Sequence, residues 1–129
     1  MMRYFIALAL CLATASALAQ AQLANPASQN CVREGGTLKI EHRPDGGQYG
    51  VCVFTDNYQC EEWALFRGEC PKTGLRVTGY LTPAGRYCAI TGGRYTVVSE
   101  SAAGEQGVCS LPGGKACSAD AYYAGTCGR

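Results

Sequence analysis

The sequence predicts an α+β fold, built as a small disulfide-rich tandem repeat in which each unit runs helix–strand–strand–helix. The main observation is a cysteine pattern, because intervals of 21, 8 and 10 residues occur twice at an offset of 57 residues. Pro-Ala and Gly-Gly pairs recur at the same offset, which favours a tandem duplication over chance. The repeats are predicted over residues 25–70 and 82–127, joined by a linker at 71–81. The two cysteine sets are Cys31, Cys52, Cys60 and Cys70, then Cys88, Cys109, Cys117 and Cys127.

The N-terminal residues have the pattern of a secretory signal peptide, which we predict over residues 1–19. Arg3 supplies a positive charge, residues 4–13 are apolar, and an Ala-Leu-Ala sequence gives small residues at the cleavage position. The apolar run is too short to cross a bilayer, and Cys11 would leave with the signal. We therefore expect an exported protein, periplasmic or secreted.

Export would place the other eight cysteines in an oxidising compartment, where disulfides are the default expectation. A zinc site is the alternative. Zinc ligands usually come in closely spaced pairs, whereas the closest cysteines here lie eight residues apart and His42 has no cysteine near it. We therefore predict four disulfides, no metal and no cofactor.

Each repeat is predicted to open with a short helix whose two ends are marked by sequence. An Asn or Thr can cap the first amide groups, a Pro follows at the first helical position, and a Gly can end the helix in a left-handed conformation. These residues are Asn25, Pro26 and Gly35 in the first repeat and Thr82, Pro83 and Gly92 in the second.

A hairpin and a second helix follow in each repeat. Residues 37–42 alternate polar and apolar, which predicts a strand with one buried face, and residues 95–98 are its β-rich counterpart. Glu61 and Glu62 are expected in the first turn of the second helix, where they suit the positive end of the helix dipole. The linker is expected to add an edge strand at residues 75–78.

Four cysteines allow three pairings in each repeat, and their spacing alone does not choose between them. We prefer the pairing that ties the first helix to the returning strand, since so short a helix does not hold alone in water. The remaining cysteines then require a short second helix, because bonded Cα atoms approach to about 6 Å. The preferred bonds are Cys31–Cys52, Cys60–Cys70, Cys88–Cys109 and Cys117–Cys127.

Charge differs between the two halves of the chain. Residues 25–70 carry a net charge of −3 and residues 71–129 a net charge of +3, so opposite signs could help the repeats dock. Scattered, solvated charges are the interpretation we favour. No basic groove with interleaved aromatic residues is present, so nucleic acid is not predicted as a partner. Without a second long apolar run, stable membrane insertion is not predicted either.

The pattern of reactive residues argues against an enzyme. Nucleophilic catalysis needs a nucleophile with a base and an orienting acid, and His42, the single histidine, is expected to be a solvated strand residue. Glu61 and Glu62 are successive helical residues, which do not face one substrate atom. We predict that the protein is not an enzyme.

The candidate binding residues are Glu62, Trp63, Phe66 and Arg67, because Trp and Arg often anchor interfaces. The alternative, which we favour for Trp63 itself, is that its ring fills the small core while Arg67 pairs with an acid. The second repeat has Asp120 in place of Trp63, so a fold can form there without the tryptophan.

Several motifs of the first repeat resemble a known family. The sequences NPASQNC, EGG and above all CEEWALFRGEC resemble the bacterial domain-of-unknown-function family 333, whose members are often labelled hemolysins. Residues 82–127 resemble it through cysteines, glycines and spacing, with SADAYYAG in place of EEWALFRG, so we identify a second, divergent copy. The resemblance implies export to the bacterial envelope. Some members keep counterparts of Cys31 and Cys52 and lack the later pair, which supports the preferred pairing.

The sequence favours one of three functions. The hemolysin label implies lysis of membranes, but the mature chain has neither a long apolar stretch nor a basic amphipathic helix. We expect a noncatalytic envelope or periplasmic module that binds an unknown protein or envelope component through the first repeat. The alternative is a secreted peptidase inhibitor, with the loops at residues 43–48 and 55–59 presented to the protease.

Overall fold

A computed structural model describes residues 25–128, so the predicted signal peptide at residues 1–19 lies outside the described residues. The first repeat consists of α1 (Pro26–Arg33), β1 (Thr37–His42), β2 (Gln48–Val53), β3 (Tyr58–Glu61) and α2 (Glu62–Phe66). The linker adds β4 (Leu75–Arg76), an edge strand that pairs with β3 and covers two of the four residues predicted for it. The second repeat consists of α3 (Pro83–Ile90), β5 (Arg94–Ser101), β6 (Gly104–Ser110), β7 (Ala116–Ser118) and α4 (Ala119–Tyr123).

The described residues form two antiparallel sheets, ordered β1-β2-β3-β4 and β5-β6-β7. The α+β class and the disulfide-rich tandem repeat are confirmed. Each repeat has one short strand more than the predicted order, because the chain stays extended for three or four residues before its last helix. That strand places Cys60 opposite Cys52 in the first sheet and Cys117 opposite Cys109 in the second.

Four disulfides lie within the repeats, and they are the preferred pairs. The bonds from the first helix of each repeat to its second strand span Cα distances of 5.6 and 5.7 Å, and the bonds that close the last helix span 6.0 Å. Gly36 and Gly93 lie against the helix-to-strand bonds, so closely that a Cβ on either glycine would overlap the sulfur of Cys52 or Cys109. Glycine is required there by close approach.

The predicted helix ends are confirmed. The Oδ1 atom of Asn25 accepts hydrogen bonds from the amides of Ala27 and Ser28, at 2.9 and 3.3 Å, and so caps α1. Thr82 caps α3 through its hydroxyl, which accepts from the amide of Gly85 at 3.0 Å. Both helices are followed by glycines with φ near +90°, the conformation that only glycine adopts without strain.

The apolar core has two parts. The first lies inside the first repeat around its two disulfides, together with Ala64 and Leu65 of α2. The second is shared between the repeats, because Tyr87 and Ile90 of α3 pack with Tyr49 and Val51 of β2. The two repeats therefore have separate disulfides but one common aromatic cluster.

A polar contact also joins the repeats. The guanidinium of Arg86 on α3 forms a bidentate pair with Glu41 of β1, with Nη2 to Oε2 at 2.7 Å and Nη1 to Oε1 at 3.2 Å. Gln59 accepts from the same guanidinium through its Oε1, at 2.9 Å from Nε. The opposite charges of the two halves therefore meet in at least one specific ion pair.

The prediction that one face of β1 is buried is only partly correct. Leu38 is half-buried against the first core, but Ile40 on the same face is 55% exposed. The reason is that β1 is the edge strand of its sheet. His42 is exposed, as expected. Within residues 25–128, no helix is both long enough and apolar enough to span a membrane.

Candidate functional site

Glu61 lies at the junction between β3 and α2, next to the candidate binding residues of α2. Both of its carboxylate oxygens accept backbone N–H groups at the start of the helix, from Trp63 at 3.0 Å and from Ala64 at 2.9 Å. Glu61 was expected inside the first helical turn, and it is instead the cap that precedes the turn. Burial raises the pKa of its carboxyl group, and the two amide hydrogen bonds oppose that shift.

Glu62 is the first residue of α2 and is only 6% exposed. Its Oε2 accepts a hydrogen bond from the Ser28 hydroxyl at 2.6 Å, and its Oε1 lies 3.5 Å from Nδ2 of Asn25. The carboxylate covers Gly50 of β2 so closely that a Cβ on that glycine would lie 2.6 Å from Cδ of Glu62. Glu62 therefore joins the two helices of the first repeat over the sheet.

Trp63 and Phe66 lie on the opposite side of α2 from its buried residues. The ring of Trp63 is 37% exposed, that of Phe66 is 44% exposed, and the two pack edge to face at 5.9 Å. The favoured expectation that Trp63 fills the core is therefore wrong. The cause is helix geometry, since Glu62, Ala64 and Leu65 occupy the inner face of this five-residue helix.

Arg67 follows directly after α2 and pairs with an acid, as expected. Its Nε lies 3.2 Å from Oε2 of Glu69, and about half of the Arg67 side chain remains exposed. The pair therefore holds the guanidinium next to Glu69, two residues further along the chain.

These residues border a cleft of about 320 Å³ between the repeats. Most of its lining comes from the first repeat, and the rest comes from α3, the residue that follows α3, and α4 of the second repeat. Glu62, Trp63 and Arg67 line it, whereas Phe66 contacts it only through Trp63. The first-repeat residues are Arg43, Gln48, Tyr49, Gly50, Glu61, Glu62, Trp63 and Arg67, and the second-repeat residues are Tyr87, Thr91 and Tyr122.

The second-repeat wall is a cluster of tyrosines held in place by polar contacts. The ring of Tyr87 lies 5.1 Å from the rings of Tyr49 and of Tyr122. The Tyr122 hydroxyl donates to Oγ1 of Thr91 at 2.9 Å, and the Thr91 hydroxyl donates to the Tyr87 carbonyl at 2.7 Å. Burial, with the negative charge of Glu41, raises the pKa of Tyr49 to about 12, so this phenol stays neutral at ordinary pH.

In the second repeat, the space equivalent to that of the Glu62 carboxylate is filled by another side chain. The counterparts of Ser28 and Glu62, 57 residues on, are Gly85 and Ala119, so the buried carboxylate is missing. The ring of Tyr95 occupies the space instead, lying against Gly85 and Gly107, and its hydroxyl donates to Glu105 at 2.7 Å. The cleft therefore belongs to the first repeat and to the side of the second that faces it.

Sequence reasoning found three lining residues and missed others that complete the cleft. Ser28, which does not line the cleft but donates to Glu62, could have been found, because both residues are replaced in the second repeat. Tyr87 could not, since its counterpart Asn30 gives no sign that this position faces the other repeat. Within residues 25–128, no three His, Cys, Asp or Glu side chains are grouped so that they could hold a metal ion.

Comparison with known proteins gives one match. The family model described as Domain of unknown function (DUF333) matches residues 22–69 and again residues 79–126. No curated protein and no solved structure matches the chain.

Proposed function

The chain belongs to the DUF333 family in two tandem copies, and from this premise we propose that it is an exported, noncatalytic envelope module. It binds a protein or another envelope component through the first repeat. The observation that carries the proposal is the exposed pair of Trp63 and Phe66 beside Arg67 at the mouth of the cleft.

Export is supported by two independent features. Residues 1–19 have the charge, apolar length and small residues of a signal peptide. Four disulfides among the described residues are typical of a protein that folds in an oxidising compartment such as the periplasm. Intact mass measured before and after reduction should rise by eight hydrogens, and a protein that is retained in the cytoplasm would contradict export.

A noncatalytic role is supported by how the polar groups are used. Both oxygens of Glu61 cap a helix, and Glu62 is held by Ser28. These contacts give the carboxylates structural roles in the first repeat.

A binding role is supported by the difference between the repeats at α2 and α4. Phe66 corresponds to Tyr123, which packs on Tyr87 at 5.1 Å in the shared cluster. The counterpart of Tyr87 in the first repeat is Asn30, which cannot cover Phe66 as a ring would. Aromatic side chains that are left uncovered and held rigid are the kind that anchor interfaces.

The test is capture from an isolated bacterial envelope fraction on immobilised protein, followed by measurement of affinity for the purified captured component. We expect Trp63→Ala and Phe66→Ala each to weaken that affinity at least tenfold. Ile40→Ala, which removes an exposed apolar side chain on β1, is the matched control and should bind as wild type does. Equal affinity of all four folded proteins would remove the proposed surface.

A further inference from the structure

The cations of the cleft already have partners within the chain. Arg43 pairs with Asp45, with Nε to Oδ1 at 3.2 Å, and Arg67 pairs with Glu69 at the same distance. A guanidinium has five N–H donors, so each arginine keeps donors to offer after one ion pair. The cleft therefore presents hydrogen-bond donors without an uncompensated positive charge.

The carboxylates are arranged in the same way. Glu61 accepts one amide on each oxygen, and Glu62 accepts the Ser28 hydroxyl at 2.6 Å. Each carboxylate has about four lone-pair positions, so both keep acceptor capacity. Two arginines and two glutamates line the cleft. With Asp45 and Glu69, the partners of the arginines, the group has two cations and four carboxylates, so its formal charge is not positive.

This pattern disfavours an anionic ligand and suits a neutral one that is rich in hydroxyl groups. A hydroxyl donates to a carboxylate and accepts from a guanidinium at the same time, so neighbouring hydroxyls can bridge such groups without breaking either ion pair. An anionic ligand would lie close to several carboxylates. A cationic ligand such as an ammonium group only donates, so it would leave the remaining N–H groups of Arg43 and Arg67 without an acceptor.

Aromatic rings supply the apolar part of the site. Trp63 lines the cleft and packs edge to face on Phe66, and Tyr49, Tyr87 and Tyr122 also line it. The faces of these rings carry partial negative charge, which suits the C–H face of a pyranose ring. A volume of about 320 Å³ is at the lower end of small-molecule sites and leaves room for about one or two sugar rings.

We propose that this cleft binds a neutral saccharide, contacted by Trp63, Glu62 and Arg67 from the first repeat and by Tyr122 from the second. The inference rests on the proposed function, since it names a saccharide as the envelope component. It also explains why the second repeat, where Tyr95 fills the equivalent space, is expected to have no such site.

The single tryptophan makes the test direct, because Trp63 at the mouth of the cleft is the whole source of tryptophan fluorescence. The chain from residue 20 onward is titrated with maltotriose, cellotriose and triacetylchitotriose, and with trilysine and citrate as charged probes. We expect a saturable change with at least one trisaccharide, and less than about a twofold change in its affinity between low salt and 0.5 M NaCl, because no net ion pair forms. Neither charged probe should saturate.

Substitutions then locate the bound sugar. Arg67→Gln and Glu62→Gln should each weaken binding at least fivefold, whereas Arg94→Gln, on the exposed face of β5, should leave it unchanged. Circular dichroism and the count of disulfides by mass show that each variant is folded. Arg67→Gln alone decides the outcome if Glu62→Gln does not fold.

Three results would overturn the inference: no response to any trisaccharide, salt-sensitive saturation by trilysine, or sugar binding that Arg67→Gln and Arg94→Gln leave equally unaffected. If envelope capture still depends on Trp63 while no sugar binds, the saccharide is wrong and the proposed function stands. If neither capture nor sugar binding depends on Trp63, the proposed function fails as well.

Discussion

Helix α3 of the second repeat is buried on two sides, whereas α1, its counterpart in the first, is buried on one. Six of the eight residues of α3 are buried, against two of the eight in α1. Tyr87 and Ile90 reach across to β2, while their counterparts Asn30 and Arg33 are polar. Duplicated sequences have thus taken different roles, with one first helix in the shared core and the other at the surface.

The same division extends to the last helix of each repeat. In the second repeat Tyr122 and Tyr123 pack on Tyr87. In the first repeat α2 leaves Trp63 and Phe66 exposed. The comparison indicates that the second repeat closes the fold, whereas the first exposes the residues that we propose for binding.

The largest effect should come from Tyr87→Ala. This side chain is 5% exposed and contacts three other rings, so its loss should lower the free energy of unfolding by about 3–5 kcal/mol. Asn30→Ala, at the matching position of α1, should cost less than about 1 kcal/mol. Urea denaturation of both variants measures the difference, and equal losses would break the contrast between the two helices.

The next largest effect should come from the helix-to-strand disulfide, which the two repeats have in common. Replacing both cysteines of Cys31–Cys52 or of Cys88–Cys109 by alanine opens a loop of the same sequence separation, 21 residues. The loop-entropy model gives a loss of about 3 kcal/mol for each. Thermal denaturation of the two double variants should therefore give losses within about 1 kcal/mol of each other, and a larger gap would mean that one bond has an additional role.

A smaller effect concerns the ion pair between the repeats. In a double-mutant cycle with Arg86→Met and Glu41→Gln, we expect a coupling energy of about 1 kcal/mol at low salt, since both side chains are partly exposed. The more exposed pair of Arg67 and Glu69 serves as the control and should give about half that value or less. A coupling energy of zero for Arg86 with Glu41 would mean that this ion pair does not help to hold the repeats together, so that the contact would depend on the aromatic cluster.

The smallest effect is one of pH. Because burial raises the pKa of Glu61 above its ordinary value of 4.5, the folded protein holds this proton more tightly than the unfolded chain does. The free energy of unfolding should therefore fall as pH rises from 4.5 through the pKa that Glu61 has in the folded protein. In Glu61→Ser, which copies Ser118 at the same position of the second repeat, the free energy of unfolding should fall less over this pH range. Stability measured against pH for the wild type and the variant shows the difference.

Local features could be predicted from the sequence because their causes are local. The caps at Asn25 and Thr82 and the glycines after both helices depend on residues within one repeat. The preferred disulfides follow from the need to tie a short first helix to its own hairpin. The direction of Trp63 depends on which face of a five-residue helix meets the core, and a helix so short shows no reliable period. The cleft depends on Tyr87 and Tyr122 coming from the other repeat, which no pattern within the first repeat reports.

The strand register has a consequence for how the chain oxidises. Cys52 lies directly opposite Cys60, and Cys109 opposite Cys117, yet neither couple is bonded in the folded protein. Facing residues of antiparallel strands have Cα atoms about 4.5–5.5 Å apart, within reach of a sulfur–sulfur bond. A sheet that assembles before α1 and α3 dock can therefore trap the wrong thiol partners, and recovery from that trap would require thiol–disulfide exchange.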